Sequence, residues 1–196
     1  MLPQLKGEPD VMPAGKGGRK EDFFTEEEYY SLPENIRAEL IEGRLSYQAA
    51  PSRIHQKVLN AVNNTIYNYI KAKGGPCEVY PAPFAVKIFE GRATILEPDI
   101  SVICDPEKLT DRGCSGAPDW VVEIVSPSSV SNDYIKKLQL YAEAGVREYW
   151  IVNPMQEKVI VYRLGDEEFD LGFYTFQDQV KAGIFEDLWV DFQEII

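Results

Sequence analysis

The segment Trp120-Val-Val-Glu-Ile-Val125 is an almost continuous apolar run broken by one carboxylate. Such runs belong to central strands covered on both faces. A strand of that kind needs layers on either side, so it demands a chain able to bury a full core. With 196 residues, 44% of them hydrophobic, this chain meets the demand as one domain with some decoration. Glu123 inside the run must be paired, hydrogen-bonded or bound to a cation, because burying it otherwise costs several kcal/mol.

The flanking patterns supply the layers. Residues 1–21 are rich in Gly, Pro and Lys without periodicity and read as a flexible arm, leaving 22–196 as a single domain. Thr25-Glu-Glu-Glu28 has the spacing of a capping box ahead of a short helix that stops at Leu32-Pro33. Ala38 to Ser46 reads as a tight hairpin turning at Glu42-Gly43. Ser52 opens the longest helical pattern: Ile54, Val58, Val62, Ile66 and Ile70 recur every fourth residue, with Leu59 and Tyr67 beside them, up to Gly74-Gly75-Pro76. From Cys77 the period becomes two. One strand, kinked at Pro81 and Pro83, is expected to reach Ile88, and a second to span Ala93 to Ile103. Asn132 to Ala144 is a helix before Gly145, and Glu148 to Val152 a further central strand. Lys158–Leu164, Phe169–Phe176 and a strand near Ile184–Val190 form an antiparallel C-terminal extension. The order predicts a mixed α/β fold with one central sheet flanked by helices.

Composition excludes several classes. No apolar run reaches the roughly 18 residues of a membrane span. The first twenty residues lack the apolar stretch of a secretory signal, so a cytoplasmic setting is expected. Cys77, Cys104 and Cys114 form no close metal-type pair and are expected as reduced thiols. One histidine, His55, rules out multi-histidine zinc sites. With 20 basic and 32 acidic residues, the net charge of −12 argues against a general nucleic-acid coat. It leaves room for a local site that binds metal and then phosphate.

Asp99, in Glu97-Pro98-Asp99-Ile100, is a second carboxylate in an apolar context. Two such acids on neighbouring strands suit Mg²⁺ (or Mn²⁺), which takes hard oxygen ligands and leaves sites to water and phosphate. The bland alternative is that either acid points outward or caps a turn. Asp133, Lys137 and Tyr141, spaced by four, share a ridge of the helix after Glu123. On spacing alone Asp133 and Lys137 read as an exposed pair worth a few tenths of a kcal/mol. Glu39 and Glu42, on the hairpin, read either as further acidic ligands or as ordinary edge residues. His55 falls at the flank of the long helix's apolar stripe and reads as a capping or core residue unless it faces the carboxylates.

Together, Glu39-Leu-Ile-Glu-Gly43, Pro51-Ser52-x-x-His55, Pro98-Asp99, Ala117-Pro118-Asp119-Trp-Val-Val-Glu123-x-x-Ser126-Pro127-Ser128 and Asp133-x-x-x-Lys137-x-x-x-Tyr141, followed by Gly145-Val-x-Glu-Tyr-Trp150, resemble the Uma2 family. That group of restriction-endonuclease-like proteins belongs to the PD-(D/E)XK nuclease superfamily. The resemblance covers about Phe23 to Tyr162 and implies a restriction-endonuclease-like core. It implies that Asp99 and Glu123 hold Mg²⁺ and that Glu39, less clearly Glu42, are auxiliary acids. Val125 stands where the superfamily's Glu-x-Lys pattern has lysine, and the resemblance implies that Lys137 supplies the ammonium group instead.

The expected activity is Mg²⁺-dependent hydrolysis of DNA phosphodiester bonds, with Lys137 orienting water and His55 or Tyr141 supporting the site. Two rivals remain. One is a non-catalytic binding or assembly module, a homodimer paired through the C-terminal extension, suggested by the acidic charge. The other is a hydrolase of a small phosphorylated compound.

Overall fold

The computed structural model describes residues 23–126, 132–165 and 169–195, with the backbone alone for 132–134 and 169. The expected arm over 1–21, the Pro127-Ser128 motif and the Asp133 side chain lie outside the described residues.

Helix α1 (Glu26–Tyr30) begins as its sequence predicts: the Thr25 side chain accepts from the Glu28 amide, and Glu28 accepts from the Thr25 amide. Strands β1 (Ala38–Ile41) and β2 (Arg44–Tyr47) pair antiparallel about Glu42 and Gly43. Both turn residues have positive φ, 51° and 79°, as a two-residue hairpin whose twist matches its strands requires. A Cβ on Gly43 would also lie 2.8 Å from the Phe23 ring. Helix α2 (Arg53–Lys73) starts at Ser52, whose hydroxyl accepts from the His55 amide. Its Val58, Leu59, Val62 and Ile66 are buried, whereas Tyr67, expected beside that stripe, is exposed.

The two long strands expected between Cys77 and Ile103 are each divided. The first becomes β3 (Glu78–Pro81) and β4 (Val86–Lys87), the second β5 (Ile95–Leu96) and β6 (Ile100–Ile103). Proline removes ladder donors and limits the backbone, so Pro81, Pro83 and Pro98 mark where the chain leaves one sheet for another. Strands β7 (Leu109–Thr110) and β8 (Gly113–Ser115) precede β9 (Trp120–Ile124). Asn132–Lys137 winds as a π-helical turn rather than as regular α-helix, and α3 (Leu138–Ala144) continues it. Strands β10 (Glu148–Asn153), β11 (Lys158–Leu164), β12 (Phe169–Thr175), β13 (Gln179–Lys181) and β14 (Trp189–Asp191) complete the described chain.

The expected central mixed sheet flanked by helices is present, and a second six-stranded sheet accompanies it. The accompanying sheet has the order β2-β1-β5-β4-β8-β7, the central one β12-β11-β10-β9-β6-β3. Each is mixed, with one parallel pair, β4 with β8 and β9 with β10. The C-terminal extension is antiparallel as expected over β10, β11 and β12, while β13 and β14 form a separate hairpin and 184–188 is loop.

Strand β9 is central and buried on both faces. Trp120, Val122 and Ile124 pack with Val58, Val62 and Ile66 of α2. Val121 and Val125 pack on the other face with Leu140 and Tyr141 of α3. Continuing the β6–β9 register, Ile100 opposite Val122, by one residue sets Asp99 opposite Glu123. Cys77 and Cys104 extend the Glu78–Ile103 pairing in the same way and form a disulfide, which corrects the expectation of reduced thiols. A separation of 27 residues carries no sequence mark of that proximity. Cys114 is free and buried, its thiol pushed up to about 11 by burial.

On β10, Glu148 is 1% exposed and ties the strand to the loop before β14. It accepts from Trp150 Nε1 at 2.7 Å and from the amides of Gly183 and Ile184 at 2.6 and 2.9 Å. Burial raises its carboxyl above the ordinary value, against these hydrogen bonds, which lower it. A carboxyl raised on folding contributes stability that is fullest below its unfolded value and falls as pH rises through the folded value. In urea titrations between about pH 4 and about pH 7, wild type therefore loses stability relative to Glu148→Gln as pH rises. A constant difference between the two proteins would show that Glu148 titrates normally.

Candidate active site

Three carboxylates, an ammonium group and an imidazole meet at the ends of β1, β6 and β9. Glu39 comes from β1 and alternation turns it inward, where it is 2% exposed. Glu123 comes from the same face of β9 as Val121. Asp99 lies in the gap between β5 and β6, not inside a strand as its apolar neighbours suggest. His55 reaches the site from the first turn of α2, and Lys137 from the end of the π-helical turn. Single π-turns widen a helix locally and recur at functional sites.

Lys137 Nζ lies 2.8 Å from Glu39 Oε1 and 2.7 Å from Glu123 Oε1. The Tyr141 hydroxyl, one turn further on, donates to the same Glu123 oxygen at 2.7 Å. The exposed-pair reading of Lys137 is thereby replaced: its side chain is 6% exposed and bridges two buried acids. Burial, then the Glu123 charge, holds the Tyr141 hydroxyl well above the usual phenol range, so it remains a donor at neutral pH. Glu39 also accepts from Gln48 Nε2 at 3.0 Å and from the Glu97 amide at 3.1 Å. Removing the lysine would leave two desolvated carboxylates facing each other, the expensive way to break a buried ion pair.

Asp99 Oδ2 accepts from the Ile124 amide at 2.7 Å and meets His55 Nε2 at 3.1 Å. Its other oxygen, Oδ1, takes no partner among the described residues. His55 therefore faces the carboxylates rather than only capping its helix, and its Nδ1 is buried without a hydrogen-bond partner among the described residues. Glu42 is not part of the cluster: it forms the hairpin turn, is mostly exposed, and pairs with Arg92 at 3.2 Å. Asp133 places only its backbone in the described structure.

A cavity of about 450 Å³ opens onto this cluster, lined by Glu39, Asp99, Glu123, Lys137 and His55. Its rim and walls include residues that sequence reasoning passed over: Arg37, Tyr47, Gln48, Glu97 and Ser126. Arg37 Nη2 donates to Glu97 Oε2 at 3.3 Å, and the Tyr29 hydroxyl donates to Glu97 Oε1 at 3.2 Å. The only hint in the sequence was alternation along β1, which puts Arg37 and Glu39 on one face.

Among the described residues no three His, Cys, Asp or Glu side chains form a ready cage for a metal ion. Mg²⁺ does not need one, since it is commonly bound through one or two carboxylates with water and phosphate completing the shell. Asp99 and Glu123 are a hard-oxygen pair on one cavity wall, with Asp99 Oδ1 unpartnered among the described residues, and they fit that demand.

A protein from Synechocystis sp. (strain ATCC 27184 / PCC 6803 / Kazusa), "Uncharacterized protein slr1290", is 26% identical over 144 residues, covering 72% of this chain and 74% of its own. The crystal structure of "a putative nuclease belonging to DUF820" from Anabaena variabilis ATCC 29413 superposes with a TM-score of 0.71 at 21% identity. That superposition covers 88% of this chain and 97% of the other, and it establishes a shared fold. The Uma2 family model, described as "Putative restriction endonuclease", matches residues 26–193. The chain belongs to the Uma2 family.

Proposed function

We propose that the chain is a metal-dependent nuclease that hydrolyses phosphodiester bonds of DNA, with its reaction centre at Asp99, Glu123 and Lys137. The observation that carries this reading is the convergence of Lys137, from a π-helical turn, on Glu123 beside Asp99 in one cavity. Family membership and the nuclease-like fold support it.

Asp99 and Glu123 would hold Mg²⁺ or Mn²⁺. When bound, such an ion polarises the phosphate and lowers the pKa of a coordinated water. The chain's own groups do the rest. The Ile124 amide and His55 hold Asp99 by Oδ2, which leaves Oδ1 without a partner among the described residues. Tyr141 fixes Glu123 by a hydrogen bond that persists at neutral pH. Glu39, itself held by Gln48 and the Glu97 amide, positions the Lys137 ammonium group. Lys137 orients the attacking water and offsets the negative charge that grows on the phosphate in the transition state. Its pairing with two acids gives the ammonium group a fixed location before substrate arrives.

Supercoiled plasmid and single-stranded DNA, incubated at low salt in Mn²⁺ and then Mg²⁺, test this directly. Wild type is expected to cleave, and Asp99→Asn, Glu123→Ala and Lys137→Ala each to lose about a hundredfold or more of the rate. Cleavage at the wild-type rate by folded Asp99→Asn protein would remove the assignment.

Two stability measurements follow from the same cluster. Lys137→Met in metal-free protein is expected to lose about 3–5 kcal/mol in urea unfolding, because Glu39 and Glu123 lose their shared cation. Saturating Mn²⁺ is expected to raise the melting temperature of wild type, by about 2.7 kcal/mol of linkage at a hundredfold excess over Kd, and not that of Asp99→Asn. Equal shifts in both proteins would place the ion elsewhere.

A further inference from the structure

Within the nuclease reading, on which this rests, we infer that the outer face of helix α2 is an anchoring surface for the sugar–phosphate backbone of the DNA substrate, engaged by Arg53, Lys57 and Lys71 outside the cavity. Charge distribution is the first argument. Acids number 32 in 196 residues, a frequency that would put three or four in a helix of 21. Helix α2 has none, and it carries Arg53, Lys57, Lys71 and Lys73. A long basic element in a chain of net charge −12 is a local exception to the repulsion that the whole molecule exerts on a polyanion. At about 0.1 M salt the Debye length is about 10 Å, so acids elsewhere are largely screened and the local charge decides.

Placement is the second argument. Arg53, Lys57, Asn60, Asn64, Asn68 and Lys71 are exposed and, at about 100° per residue, fall within about 80° of arc. The buried stripe of Val58, Val62 and Ile66, with His55, points the other way. Among the described residues none of Arg53, Lys57 and Lys71 has an ion-pair partner, whereas Lys73, off this ridge, is held by Asp187. Tyr67, exposed and beneath the Lys71 ammonium group, flanks the ridge. The ridge is about 27 Å long at 1.5 Å per residue, the span of several nucleotides. It starts beside the reaction cavity, because Ser52 and Gln56, which line that cavity, directly precede Arg53 and Lys57. One helix diameter, about 10–12 Å, separates the ridge from the His55 side, or three to four phosphates at about 3.4 Å each. A backbone with one phosphate at the acids can therefore continue along the outside of α2.

The asparagines are the third argument. On an exposed helix face, where packing does not select the residue, Ala, Glu, Gln and Lys form helix better than Asn. Asn60, Asn64 and Asn68, spaced by four on that face, forgo this advantage. They keep the face free of negative charge and supply amide donors, which phosphate oxygens accept.

Fluorescence anisotropy with the full chain, free of divalent metal, and a labelled DNA duplex tests the inference. The triple variant Arg53→Gln, Lys57→Gln, Lys71→Gln is expected to bind about tenfold or more weakly than wild type at about 0.1 M salt, and to flatten the salt slope by about two to three. A control triple, Arg112→Gln, Lys158→Gln, Lys181→Gln, removes the same charge from exposed positions elsewhere and is expected to bind as wild type does. In plasmid cleavage the ridge variant is expected to raise KM about tenfold with kcat within about twofold of wild type, since it alters no reacting group. Unchanged affinity and salt slope in the ridge variant, or equal losses in both triples, overturns the inference; if wild type still cleaves plasmid, the nuclease reading survives that result. Ridge-dependent binding with no cleavage by wild type in any metal overturns the nuclease reading and leaves a DNA-binding surface. Absence of both binding and cleavage in wild type overturns both.

Discussion

The Glu39–Lys137–Glu123 ion cluster is the interaction on which the site depends. It joins β1 of one sheet, β9 of the other and the π-helical turn ahead of α3 through a single ammonium group. Each of these groups is nearly removed from water. Buried charges of this kind contribute little net stability against an apolar replacement, yet removing one partner is strongly unfavourable. The cluster is therefore better understood as a device that fixes geometry. It sets two acids and a cation at one end of the central strands and makes their relative positions insensitive to side-chain entropy.

The rest of the fold serves that geometry. Apolar layers from α2 on one face and α3 on the other hold β9 in place, and the antiparallel pairing of β6 with β9 brings Asp99 opposite Glu123. Tyr141 and Gln48 take up remaining acceptor capacity on the buried acids. Such satisfaction is what makes a polar network in an apolar surround tolerable. The cavity beside it remains lined by Arg37, Gln48 and the start of α2.

Much of this was legible along the chain because the signals are local. The capping box at Thr25, the Glu42-Gly43 turn, the Ser52 cap and the four-residue stripe of α2 all depend on residues within one turn of each other. The apolar surround of Glu123 declared a carboxylate that needed a partner, and the family resemblance directed attention to Lys137. The divided strands were harder to see. Apolar residues run on from Val79 to Ile88 and from Ala93 to Ile103, and only the prolines hint that each segment serves two sheets. The Cys77–Cys104 bond follows from strand register, which no pattern within either segment carries.

The sequence by itself determined the central apolar strand with its single acid, the helices and their caps, and the acids and lysine from which the buried cluster is built. Each of these is set by neighbours a few positions away, through periodicity, capping and burial. The tertiary structure alone decided which acids meet. It brought Glu39 to Lys137 and left Glu42 on the turn, turned His55 to Asp99, and placed Arg37 and Tyr47 at the rim. Those choices rest on the register between distant strands and on the packing of helices across the sheet. A shift of one residue in register would turn each of these side chains to the opposite face.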